Sequence, residues 1–215
     1  MNKIINLKDL LKHEILDLYS AEKQIIKNLP LLIEKANMPE LRETLSKHLA
    51  LAKLQKKRLD KIKANIMTAE EEADGDQDPG FFSNLFGGTK RVSSKGVAGL
   101  IKEAKKIVAE NMTPQALDAA IIGSAQKIGH YKIAGYGTVH AYATELKLDF
   151  PATELNKTLH ESYSIDDSLT KLAVGKVNPE AENTVDDEKA AFEDDFNFLS
   201  NSVSIMRSSG SDDDD

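Results

Sequence analysis

Polar residues on four long amphipathic helices fall in register with the apolar stripes, and their chemistry needs explaining first. Glu22 lies four residues after Leu18 and three before Ile25, so all three share one helical face. His48 sits between Leu45 and Ala52, and Gln55 between Ala52 and Leu59. Further along, the steps from Ile128 to Gly135 land on Lys132, with His130 rotated towards a flank. The steps from Leu159 to Leu169 pass through Ser162 and Asp166. A buried carboxylate or imidazole costs several kcal/mol unless something pairs it, so Glu22, His48, Lys132 and Asp166 are expected to converge at one level.

Two chemistries fit that set. Convergent Glu, Asp and His on facing helices is how a bundle builds a site for iron, manganese or zinc. The other is an ion-paired layer, with Glu22 and Asp166 against Lys132 and His48 hydrogen-bonded to a neighbour. A protonated ammonium cannot ligate, and it supplies the positive charge that a metal would otherwise bring to the carboxylates. Lys132 therefore favours the ion-paired layer, with metal as the alternative.

The elements that position these residues can be read from apolar spacing. Asn6 and Asp9 open a first helix in the manner of a capping box, with Leu7, Leu11, Ile15, Leu18, Ile25, Leu29 and Ile33 on one face to about Ala36. Pro30 predicts a kink in its last turns. Pro39 starts a second helix, with Leu41, Leu45, Leu49, Ala52, Leu59, Ile62 and Ile66 facing in, and the short Asn37-Met38 link makes the pair antiparallel. Residues 68–96 read as a long loop, acidic from Glu70 and then bearing Phe81, Phe82 and Phe86. A short crossing helix is expected from Val97 to about Glu110. Thr113-Pro114 opens a central helix in which Gly123, Gly129, Gly135 and Gly137 suggest close approach by a neighbour, and Pro151 opens the last long helix, ending near Gly175. The expected architecture is all-α: an antiparallel four-helix bundle over residues 1–175, with an additional short crossing helix, then an acidic C-terminal extension over 176–215 that is largely disordered. Within that extension, residues 187–206 could form a marginal helix.

Composition narrows the function classes. The chain has no cysteine, which leaves only oxygen and nitrogen as metal ligands and excludes disulfides and cysteine nucleophiles. A formal charge of -7 argues against nucleic acid as a partner. No signal or membrane-spanning pattern is evident, so a cytoplasmic location without membrane partner is expected. Gly87-Gly88-Thr89-Lys90 lacks the strand that would make a phosphate loop of it, and no nucleophile elbow supports a serine hydrolase.

The stretch Asp17-Leu18-Tyr19-Ser20-Ala21-Glu22-Lys23-Gln24 resembles the opening motif of the YciE/YciF family, ferritin-like, stress-associated bacterial proteins often labelled as metal-binding. Further similar segments follow in order: His48-Leu49, Arg58-Leu59, Gly99 to Ala104, Asp118-Ala119-Ala120, Ala125 to Thr138, and Thr158-Leu159 with Asp166. The resemblance implies a ferritin-like bundle, a possible homodimer, and a metal site at Glu22, His48, His130, Glu161 and Asp166, with iron or manganese and a ferroxidase or peroxide-consuming activity. Departures from the family pattern weaken that site. His48-Leu49-Ala50-Leu51-Ala52 stands where the family has His-Leu-x-Glu-Thr, Gly129-His130-Tyr131-Lys132 where it has Glu-His-Tyr-Glu, and Glu161-Ser162 where it has a Glu pair. The expectation is a degenerate metal site, no cofactor and no catalysis, with function carried by surfaces: a homodimer, or a protein partner on the Phe81–Phe86 loop or the C-terminal extension.

Overall fold

Asn6 opens the first helix as expected: its Oδ1 accepts the Asp9 N–H at 2.9 Å, and the Asp9 carboxylate accepts the Ile5 N–H at 3.1 Å. These bonds satisfy amides that a helix start otherwise leaves without partners. The computed structural model describes residues 4–73 and 93–182. Helix α1 (Leu7–Lys35) runs through Pro30 and buries Leu11, Ile15, Leu18, Ile25 and Leu29. Its last fully buried side chain is Leu32, with Ile33 partly buried against the same core, because a second consecutive four-residue step overshoots a turn of 3.6 residues.

Helix α2 (Pro39–Ala73) is longer than its apolar stripe predicted. The expected loop at 68–96 is corrected at both ends: residues 68–73 continue the helix through three glutamates, which are good helix formers, and α3 (Lys95–Ile107) begins at Lys95. The Phe81–Phe86 segment lies outside the described residues. Helix α4 (Pro114–Glu145) starts on the Thr113 cap, whose hydroxyl accepts the Ala116 N–H at 3.3 Å. Of its four glycines only Gly135 makes room for a close neighbour, since a Cβ there would stand 2.7 Å from Leu18 Cδ2. Gly123 and Gly137 have nothing within 4 Å of that position.

Helix α5 (Asp149–Leu172) does not end at Gly175. A π-helical turn, Ala173–Val177, carries the chain past the glycine, and helix resumes to residue 182. The reason is apolar: Val177 lies eight residues after Leu169, on the same face, and is buried with it. The remainder of the extension, including 187–206, falls outside the described residues.

The four long helices form a closed ring of neighbours in the order α1, α2, α5, α4. Each neighbouring pair is antiparallel. Around the α1–α4 seam, Leu18 meets Gly135 while Glu22 meets Lys132, so one chain rises as the other falls. The short α3 packs on α1 and α4. Its start is pinned by Ser94, whose hydroxyl donates to Asp17 at 3.0 Å and whose N–H donates to Ser20 Oγ at 3.0 Å. Two apolar cores fill the bundle, one built around Ile25, Leu45 and Ile128 and the other around Leu18, Leu59 and Tyr136. Of the polar residues singled out in the sequence, Glu22, Gln55 and Lys132 lie between them. Among the described residues no helix is long and apolar enough to cross a membrane.

Candidate functional site: a charged layer in the bundle core

Glu22 projects from α1 between Leu18 and Ile25 into the middle of the bundle, where it is fully buried. Lys132 reaches it from α4, with Nζ 2.9 Å from Glu22 Oε1, and is itself 1% exposed. The same ammonium donates to Gln55 Oε1 on α2 at 2.5 Å. Tyr136, one turn beyond Lys132, donates its hydroxyl to Glu22 Oε1 at 2.9 Å. Burial pushes the Glu22 carboxyl above the usual carboxylate range, with the Lys132 charge and the Lys132 and Tyr136 hydrogen bonds acting in the opposite direction. Burial and the Glu22 charge push the Tyr136 phenol well up, so it stays a donor at neutral pH.

His48 belongs to this layer but not to its hydrogen-bond network. It is buried, its Nδ1 has no hydrogen-bond partner among the described residues, and neither does Glu22 Oε2. Burial, with the Lys132 charge adding to it, pushes the imidazole down to about 3, so His48 is neutral at physiological pH.

Gln55 links the layer to a second cluster on the α2–α5 seam, where its Nε2 donates to Glu161 Oε2 at 3.2 Å. Arg58 grips both oxygens of Glu161, at 2.8 and 2.9 Å, while its Nε lies 3.1 Å from Glu154 and its guanidinium also donates to Thr158 at 2.7 Å. The bidentate Arg58 bond and the Gln55 amide hold the Glu161 carboxyl below its ordinary value despite the opposing effect of burial.

Asp166 does not reach Lys132, contrary to the expected layer. Its Oδ2 lies 3.1 Å from His130 Nε2 and its Oδ1 accepts from Gln126 at 3.4 Å. Ser162 takes the position on α5 level with Lys132, and the next turn carries Asp166 about 6 Å further along the axis. There it meets His130 at the bundle edge, with the imidazole 66% exposed.

The five residues weighed as metal ligands are thus divided among three places: Glu22 and His48 in the core layer, Glu161 on the α2–α5 seam, and His130 with Asp166 at the rim. Among the described residues no group of three or more His, Asp and Glu side chains is arranged to hold a metal ion. Each of the three carboxylates instead has its own basic partner: Lys132 for Glu22, Arg58 for Glu161 and His130 for Asp166. The donor set does not fit a metal centre.

Of the cluster members that sequence reasoning missed, Tyr136 and Arg58 carried a readable signal. Tyr136 follows Lys132 by four residues and precedes Val139 by three, a signal obscured by assigning the neighbouring Gly135 to the stripe. Arg58 was read only as part of a similar segment, although it stands one residue from the buried Leu59 and three from Gln55.

The fold and this layer define a class: an antiparallel, ferritin-like four-helix bundle whose mid-section is closed by hydrogen-bonded ion pairs. The chain belongs to the family described as Domain of unknown function (DUF892), whose model matches residues 6–77 and 80–182. It is 34% identical over 177 residues to Protein YciF of Escherichia coli, covering 82% of this chain and 96% of that one. The crystal structure of the E. coli stress protein YciF superimposes with a TM-score of 0.68 at 30% identity, over 81% of this chain and 99% of that one. YcfI of Rhodopseudomonas palustris gives 0.65 at 34% identity, over 79% and 96% of the two chains.

Proposed function

We propose that this protein is a non-catalytic YciF-type bundle in which Lys132 serves as the resident cation of the core, in place of a metal. The observation that carries the reading is the Lys132 ammonium between Glu22 Oε1 and Gln55 Oε1, buried on all sides. A protonated ammonium at that point offers donors where a metal site needs acceptors, and binding a divalent ion beside it would bring like charges into contact. The pairing of Glu161 with Arg58 and of Asp166 with His130 supports the same reading. No cofactor is needed by a layer neutralised in this way. The bundle then acts through its surfaces, as a homodimer or with a protein partner at the Phe81–Phe86 segment or the C-terminal extension. Neither nucleic acid nor membrane is a partner in this reading. Kinship with a protein called a stress protein supports a stress-associated role, and a cytoplasmic location completes this reading.

The test is elemental analysis of the purified full chain after iron(II) loading and desalting, beside Glu22→Ala. Metal-free protein is the expected result. Near-stoichiometric iron that disappears in the variant would overturn the reading in favour of a ferroxidase-like centre.

A further inference from the structure

A small cavity opens beside the charged layer, about 10 Å³ in volume and lined by His48, Gln55, Gly129, Lys132, Ser162 and two apolar side chains. That space suits one water molecule and nothing larger. Its polar lining is unusually specific in what it offers. His48 Nδ1 is buried with no hydrogen-bond partner among the described residues. An ammonium carries three N–H donors, and two of those on Lys132 go to Glu22 and Gln55. Ser162 Oγ donates to the Thr158 carbonyl at 2.9 Å, which leaves its lone pairs to accept.

We infer that this cavity is a binding site for a single structural water, which accepts from Lys132 Nζ and donates to His48 Nδ1 and Ser162 Oγ. Three hydrogen bonds are typical of a buried water, and these three would come from α4, α2 and α5. The bridge gives His48 Nδ1 the partner that the described residues do not supply. It also carries the layer onto α5, which its direct bonds reach through Gln55 and Glu161. For the water to donate at Nδ1, the neutral imidazole must hold its proton on Nε2.

The inference rests on a charged Lys132 in the layer, so its test must separate the two ideas. The full chain is crystallised with ferrous ion, the density in the cavity is inspected, and anomalous scattering is recorded at the iron edge. The expected result is one water within hydrogen-bond distance of His48 Nδ1, Lys132 Nζ and Ser162 Oγ, with no iron peak, and loss of that water in His48→Leu. A cavity without density, or xenon occupying it under pressure, would overturn the bridge while leaving the lysine layer standing. An iron peak at Glu22 would overturn the layer and the bridge together. Long-range proton–nitrogen correlation on the wild-type chain in solution gives an arm independent of crystals and variants: a proton on Nε2 is expected, and a proton on Nδ1 would overturn the donation.

Discussion

Lys132 holds Glu22 in a place where neither would be stable alone, and the two cannot be removed independently. Lys132→Met leaves a buried carboxylate without its cation and is expected to cost about 3–5 kcal/mol. Adding Glu22→Gln should return much of that loss, and urea denaturation of the two singles and the double would measure the coupling. His48 makes a separate contribution with a definite sign. Its folded value of about 3 lies below its ordinary 6.5, so its stabilisation is present above pH 6.5 and is lost as pH falls towards 3. Between pH 7 and pH 5 the loss amounts to about 2 kcal/mol. Glu22 acts the other way: its raised value makes the folded state hold a proton more tightly, so its contribution is present at low pH and is lost as pH rises through the folded value. Comparing wild type with His48→Gln across pH 7 to 5 separates the two, and the variant should show the shallower loss. Glu22, His48 and Lys132 were legible because each interrupts an apolar stripe at a three- or four-residue step. The pairing of Glu22 with Lys132 was legible with them, but the α5 member was not, because choosing between Asp166 and Ser162 opposite Lys132 depends on the axial level of α5, which spacing within one helix does not contain.

At the scale of the element, the helix starts show how local signals and distant contacts divide the work. The starts of α1 and α4 are capped by their own neighbours, Asn6 and Thr113, and both were readable. The start of α2 is not self-sufficient. Asp118, eighty residues away on α4, accepts the Asn37 N–H at 2.7 Å and the Met38 N–H at 2.8 Å with its two oxygens, and is itself 3% exposed. It thereby fastens the α1–α2 turn to the first turns of α4. Asp118→Ala should leave both amides without this acceptor and cost about 1–3 kcal/mol, with amide hydrogen exchange at Asn37 and Met38 accelerated over wild type more than within α2. A cost confined to α4, with Asn37 and Met38 unchanged, would contradict the assignment. The glycines of α4 give the same lesson in reverse. Composition marked four as sites of close approach, but only Gly135 faces the buried Leu18 side chain at a distance that a Cβ could not share.

For the molecule as a whole, the layer divides one bundle into two apolar cores and joins α1, α2 and α4 through buried polar atoms. Such layers are expensive to desolvate, and apolar replacements of similar volume are often neutral or stabilising by about 1–4 kcal/mol. Replacing the layer together, as Glu22→Leu, Gln55→Leu, Lys132→Met and Tyr136→Phe, is therefore expected to keep or raise the melting temperature. A collapse of stability comparable to that of Lys132→Met alone would instead assign the layer a net stabilising role. The sequence by itself determined the all-α class, the four long helices, the inward residues Glu22, His48 and Lys132, and the absence of thiol chemistry, because helical periodicity, local capping and composition are carried by near neighbours in the chain. Tertiary structure decided the pairing of Glu161 with Arg58 and of Asp166 with His130, the displacement of Asp166 to the rim, the long-range cap from Asp118 and the continuation past Gly175. Those depend on which helix faces which and at what level, and that is settled when apolar faces from distant parts of the chain close around the same core.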